Sequence, residues 1–152
     1  MDRSGDVNTF NIPTSAFAAS LTVNTVGPFT AIRESLASHT STFIFVGNIF
    51  NNGPFPGFLA LGTGKSGAAH IVQSADQVFG AKGDAGPRFY YIDERNEDGS
   101  PMFTGLGGQV HADCFLGLAE RKEGWKGLPW LVTPVKGVGY KEFPRKFILA
   151  GQ

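Results

Sequence analysis

Leu61-Gly-Thr-Gly-Lys65-Ser-Gly-Ala-Ala69 decides the fold, because a glycine-rich run through Gly-Lys-Ser can be either a phosphate loop or the opening turns of a helix. A phosphate loop needs a further glycine ahead of Gly64, so that successive backbone N–H groups wrap the phosphates. That position is Leu59, and Gly57 is out of register. Apolar residues continue the run instead. Ala68, Ile71, Val72, Ala75, Val78 and Phe79 recur at helical intervals and predict an amphipathic helix over residues 63 to 79.

Upstream, Thr42-Phe-Ile-Phe-Val46 is a short, continuously apolar, β-favouring run, as expected of a strand covered on both faces. Asn51-Asn-Gly-Pro-Phe-Pro-Gly57 is a loop dense in turn formers. Further upstream, Pro13-Thr14-Ser15 signals a helix start. Phe17, Leu21, Ile32 and Leu36 recur on its apolar face, Asn24 interrupts that face, and Gly27-Pro28 should bend the helix. Residues 1–12 read as an irregular lead-in and 144–152 as a tail. Downstream, Arg88-Phe-Tyr-Tyr-Ile92 is a second strand that ends in Asp93-Glu94-Arg95. A loop follows over Asn96-Glu-Asp-Gly-Ser-Pro101. A third helix is expected over residues 108 to 122, with Val110, Cys114 and Leu118 on one face, and a third strand over residues 129 to 133.

Strands alternating with amphipathic helices predict one α/β domain over 1–152, a short parallel sheet of about three strands flanked by helices. Its crossovers are expected to be right-handed. Ligands in such sheets sit beyond the carboxyl ends of the strands, which gathers Gly47-Asn48, Asp93-Glu94 and the residues after Thr133 around one cleft.

Composition narrows the function classes. The 152 residues carry 13 basic and 13 acidic side chains, so no electrostatic footprint for nucleic acid or an anionic membrane is present. No apolar run is long enough to span a bilayer, and Met-Asp-Arg-Ser-Gly-Asp is no signal peptide. The one cysteine, Cys114, cannot close an internal disulfide, which points to a cytoplasmic setting. No Cys/His cluster has metal-ligand spacing. Glycine, at 21 residues, falls beside turns and helix starts rather than in a repeat.

Four segments together resemble the short-chain dehydrogenase/reductase family, in a divergent fungal branch: Val46-Gly-Asn48, Leu61-Gly-Thr-Gly-Lys65-Ser, Phe89-Tyr-Tyr-Ile-Asp93-Glu-Arg95 and Val135-Lys-Gly-Val-Gly-Tyr140. The resemblance runs over residues 13 to 143 and matches the second half of the family's fold, which implies a truncated Rossmann-like, three-layer α/β domain here. It implies that Asn24 is the family's helix-bending asparagine and that Lys65 is its active-site lysine. Counting back from Lys65, the family's tyrosine position is Leu61 and its serine position is Asn48. Two departures follow. The strand, glycine-rich turn and helix that seat the dinucleotide pyrophosphate have no counterpart before Phe10. Leucine at position 61 cannot exchange a proton with a carbonyl or an alcohol.

Each candidate has a plainer reading beside the functional one. Lys65 can bind an anionic oxygen, protonate an enolate or act as a base; it can equally snorkel from a helix start. Asn48 can offer an amide N–H to an oxyanion or simply form a turn. The resemblance gives Asn24 a structural role first, at the helix bend. Asp93 and Glu94 can pair with Lys65 as acid and base, or be ion-paired to Arg95 or Arg88. Tyr90 and Tyr91 point to opposite faces of their strand and read as core. His70 is rotated away from Lys65 toward a helix-packing surface, His111 can approach the cleft, Cys114 should be buried and inert, and His39 lies in a polar loop.

The resulting expectation is a cofactor-independent isomerase, cyclase or dehydratase acting on a small, oxygenated, largely apolar metabolite. Lys65 would carry the chemistry, aided by Asn48, Asn24, Asp93 and Glu94, and the resemblance suggests fungal secondary metabolism as the setting. No metal is expected. The alternatives are an NAD(P)-dependent oxidoreductase completed by another chain and a non-catalytic partner of a full-length relative. Thr42–Val46 corresponds to a central strand of the family sheet, so its free edge predicts a homo-oligomer or a hetero-oligomer with a full-length homologue.

Overall fold

The structure, a computed structural model, describes residues 9–55, 57–80 and 86–144. Most of the lead-in and nearly all of the tail therefore lie outside the described residues. A parallel sheet organises the chain. Strand β1 (Thr42–Val46) pairs with β2 (Arg88–Ile92), and β2 pairs with β3 (Leu131–Val132), in the order β1-β2-β3. The register sets Phe43 opposite Phe89 and Phe45 opposite Tyr91. Those rings meet at 6.3 Å and 5.6 Å between centroids.

Strand alternation sends side chains to two separate cores. Phe89 and Tyr91 join Ala68, Ala69, Val72 and Ala75 of helix α3 (Leu59–Phe79) and Ile32 of helix α2 (Gly27–Ala37). Tyr90 and Ile92 join Cys114 and Leu118 of helix α4 (Gly108–Ala119), with Val132. The two tyrosines thus face opposite layers, and the three-layer α/β arrangement expected from the sequence is present.

Where the sequence predicted a bend, a π-helical turn interrupts the first helix. Helix α1 (Thr14–Leu21) runs through a π-helical turn, Thr22–Val26, directly into α2. Pro28 occupies the first turn of α2 and is buried there. Proline lacks an N–H, so the helical hydrogen bonding must shift before it, and the wider turn absorbs the change.

Three expectations need correcting. Helix α3 starts at Leu59 rather than near 63, so Lys65 sits two turns inside the helix; Val78 and Phe79, expected on its buried stripe, are exposed at its end. The third strand is two residues long, Leu131–Val132, where five were expected. The chain still keeps parallel contact with β2 through Tyr91 N–H to Trp130 O at 2.7 Å, Asp93 N–H to Val132 O at 3.0 Å and Arg95 N–H to Pro134 O at 3.1 Å. Pro134–Val135 (β4) then turns back antiparallel onto Gly139–Tyr140 (β5).

The third correction concerns handedness. Helix α3 covers one face of the sheet and α4 the other, while the strand order advances in one direction. The two crossovers must therefore have opposite hands, so one of them is not right-handed. The handedness rule holds for a helix that packs straight back onto its sheet. The β2–β3 connection instead runs through a loop over residues 93 to 107 before α4 begins, long enough to pass over the strand ends.

Candidate active site

Beyond the carboxyl ends of β1 and β2 lies a cavity of about 280 Å³. Ile49, Phe50, Phe103 and Leu106 form apolar walls; Asn48, Asp93, Glu94 and His111 supply polar groups. Phe50 anchors the wall, with Phe55 and Phe58 each 4.7 Å from its ring and Phe103 at 6.2 Å. The predicted cleft is thus partly right. Gly47-Asn48 and Asp93-Glu94 converge on it, whereas the residues after Thr133 do not line it and the 101–106 loop does.

Gly47 and Tyr91 shape the strand end. A Cβ at Gly47 would lie 1.9 Å from the Tyr91 ring, so only glycine lets the phenol tuck beneath the chain. The Tyr91 hydroxyl donates to Asn48 O at 3.0 Å and accepts the Asn48 N–H at 3.1 Å. Burial pushes this phenol upward, so it stays protonated. Tyr91 is a fully buried pillar with both hydrogen-bonding directions occupied, and it does not replace the phenol absent at position 61. Asn48 in turn accepts the Phe50 N–H at 3.1 Å through its side-chain oxygen, capping the short turn Ile49–Asn51. Asn48 itself lines the cavity.

Lys65 does not line this cavity. Its Nζ donates to Val46 O at 3.4 Å and lies 4.8 Å from the centre of the Phe45 ring. Burial lowers its pKa below the usual 10.5, and no carboxylate contributes to the shift. Leu61 lies one turn earlier on α3, half-buried. Asn24 abuts the preceding residue: a Cβ at Gly64 would come within 2.6 Å of the Asn24 Cβ. Its amide donates to Ser20 O at 3.1 Å, across the π turn, and Thr25 Oγ1 donates to Gly64 O at 3.2 Å. The structure therefore brings Asn24 against the turn that bears Lys65, with its amide serving the helix bend.

The carboxylates go elsewhere. Asp93 and Arg95 form a buried ion pair, with Arg95 Nε 2.7 Å from Asp93 Oδ2 and Arg95 Nη2 on the same oxygen. Arg95 also bonds Gly99 O at 3.3 Å, tying the following loop to the strand end. Both Glu94 carboxylate oxygens accept the Gly107 N–H at 3.2 Å, at the N-terminal cap of α4. Glu94 Oε2 lies 3.1 Å from His111 Nδ1, with the Glu94 side chain 1% exposed and that of His111 19%.

His111 is the site residue that the sequence reading undervalued. One signal pointed to it: a helix that follows a parallel strand begins at the strand's carboxyl end, so a histidine in its first turn faces the cleft. His70 stands exposed on α3 rather than packed, and Cys114 is fully buried. Among the described residues, no group of His, Cys, Asp and Glu is arranged to hold a metal ion. No described helix is long and apolar enough to cross a membrane.

No family model matches the chain, and no solved structure matches it. Among curated proteins it is similar to the short chain dehydrogenase/reductase dmxR12 of Cryptosporiopsis sp. (strain 8999). The two are 41% identical over 142 residues, which cover 89% of this chain and 55% of the relative. The chain thus spans about half the length of the curated relative that it matches.

Proposed function

Because the chain belongs to the short-chain dehydrogenase/reductase family, we propose a small-molecule enzyme built on that scaffold and working by proton transfer, as an isomerase, cyclase or dehydratase. The observation that carries this reading is leucine at position 61, one turn before Lys65. An alkyl side chain cannot pass a proton to or from a reacting oxygen. The corner of the site that would meet a nicotinamide therefore does not fit that chemistry within this chain.

Lys65 remains as the charge carrier. Desolvation favours its neutral form, which makes it a usable base, while its ammonium form can hold a developing oxyanion. The bond to Val46 O is long, so a substrate oxygen can displace it. Asn48 adds an amide donor on the cavity side. Asp93 keeps the strand-end loop in place through Arg95. The substrate class that fits these walls is small, oxygenated and largely apolar, and the setting we propose is fungal secondary metabolism.

A specific observation supports a second reading. Among the described residues β1 pairs only with β2, and Val23, Val26 and Phe29 are 71%, 54% and 53% exposed on the helices beside it. Such a surface favours another chain completing the sheet, in an NAD(P)-dependent oxidoreductase or in a mixed assembly with a full-length relative where this chain is not catalytic. Thermal melting with saturating NADPH separates the readings. Proton-transfer chemistry predicts no change; a rise in melting temperature sinks that reading and favours the oxidoreductase. Copurification with a full-length relative, without turnover, favours the non-catalytic partner.

A further inference from the structure

We propose that His111 and Glu94 form a catalytic base and its positioning carboxylate, acting on a C–H bond beside the carbonyl of an apolar ring ketone held in the cavity. The inference rests on the proton-transfer reading above. It gives the proton-taking role, for which that reading offers Lys65, to His111, which lines the cavity where Lys65 does not.

The geometry determines the tautomer. His111 Nδ1 lies 3.1 Å from Glu94 Oε2 and 3.1 Å from Gly107 O. The carbonyl can only accept, and so can an ionised carboxylate, so Nδ1 carries the hydrogen. In the neutral ring the lone pair then lies on Nε2, the atom a base uses. Glu94 is almost completely buried and accepts the Gly107 N–H through both oxygens, so its position is set by backbone rather than by solvent. A buried carboxylate behind a partly exposed imidazole orients the ring and stabilises the imidazolium as it forms. Phe115 meets the imidazole edge-on at 5.6 Å and limits its rotation.

The cavity supplies the second requirement, a donor for the oxygen. His111 and Asn48 line the same 280 Å³ space, with Ile49, Phe50, Phe103 and Leu106 as apolar walls. The step balances without a co-reactant. Nε2 takes the proton from the carbon next to the carbonyl, and the C–H electron pair becomes a C=C bond as the carbonyl becomes an enolate. The Asn48 NH2 group donates to the enolate oxygen. Return of the proton to the same carbon gives exchange with solvent; return to a conjugated carbon gives an isomer. Asp93, held by Arg95, lines the same cavity as His111, whereas Lys65 does not.

The plainer reading is a helix cap, Glu94 serving only the Gly107 N–H at the start of α4. Deuterium exchange distinguishes the two. The full chain is incubated with 2-tetralone in D2O, and loss of the ring C1 proton signal is followed by NMR. The wild-type chain and the exposed-surface control His70→Gln should accelerate exchange over buffer. His111→Gln should lose that acceleration by about 10²-fold or more while keeping its melting temperature. If His111→Gln does not fold, His111→Ala with imidazole added to the solution takes its place, and imidazole should restore exchange. Glu94→Gln keeps an acceptor for Gly107 but places an amide against Nδ1, so kcat should fall with KM unchanged; a cap alone would not produce that split. Full acceleration in His111→Gln, or none in the wild type, overturns the proposal. Exchange lost in Lys65→Met but retained in His111→Gln leaves the proton-transfer reading standing without the dyad. The reverse result keeps the dyad and removes Lys65 from the chemistry.

Discussion

Lys65 illustrates how one position trades stability for chemistry. Its ammonium is partly withdrawn from water, with a backbone carbonyl and an aromatic face in place of a counter-ion. The folded-state pKa is therefore lowered below the usual 10.5. Below the folded value both states bind the proton, and the full cost of burying the charge is present. Between the folded value and 10.5 the unfolded chain binds more protons, so stability rises with pH. Lys65→Met should accordingly raise the melting temperature at neutral pH. The gain should shrink as pH rises through that window and vanish above it, as thermal melts across a pH series would show. A gain that does not change with pH would mean that the desolvation account is wrong. Burial likewise holds the Asp93 carboxyl above the usual carboxylate range, although the Arg95 guanidinium sits on it. Asp93→Asn leaves a buried guanidinium without its partner and should cost about 3–5 kcal/mol in denaturant unfolding. A volume-matched apolar replacement of both residues should recover much of that loss.

Helix α3 owes its placement to residues that weaken helices in isolation. Gly64 and Gly67 cost about 1 kcal/mol each relative to alanine in an exposed helix. Here they let the π turn approach: a Cβ at Gly64 would meet Asn24 at 2.6 Å, and one at Gly67 would meet Thr25 at 2.8 Å. Gly64→Ala should therefore destabilise by about 1–3 kcal/mol despite its better helix propensity. It should also perturb Lys65, the next residue, so the loss of activity should exceed what the stability change explains. A stabilised Gly64→Ala variant would refute the close-contact explanation. Helix α4 carries Cys114 on its inner stripe, where burial pushes the thiol up to about 12. Its reaction with an exposed-thiol reagent at neutral pH should be negligible in the folded chain and rapid after unfolding.

Among the described residues the sheet leaves an apolar edge strand, with exposed valines and a phenylalanine on the helices beside it. Unpaired backbone groups along an apolar edge recruit another chain. Sedimentation or light scattering should give a particle larger than one chain. Val26 is 54% exposed here, so Val26→Asp should leave the single chain's fold intact while dissociating the assembly. A wild-type particle of one chain's mass would remove the support for the completed-sheet readings.

The local pattern of residues was enough to place the strands at Thr42–Val46 and Arg88–Ile92, the helices near 63 to 79 and 108 to 122, and the leucine one turn before Lys65. Those features follow from side-chain periodicity within a few turns, which each segment carries in itself. Packing decided the rest. The glycines at the start of α3 take on their packing role only once Asn24 and Thr25 lie against them. The hand of the second crossover depended on which face of the sheet α4 could cover. Asp93 and Glu94 looked equivalent as neighbours in sequence. Successive residues leave a strand end in different directions, so Arg95 claims one carboxylate while Gly107 and His111 claim the other.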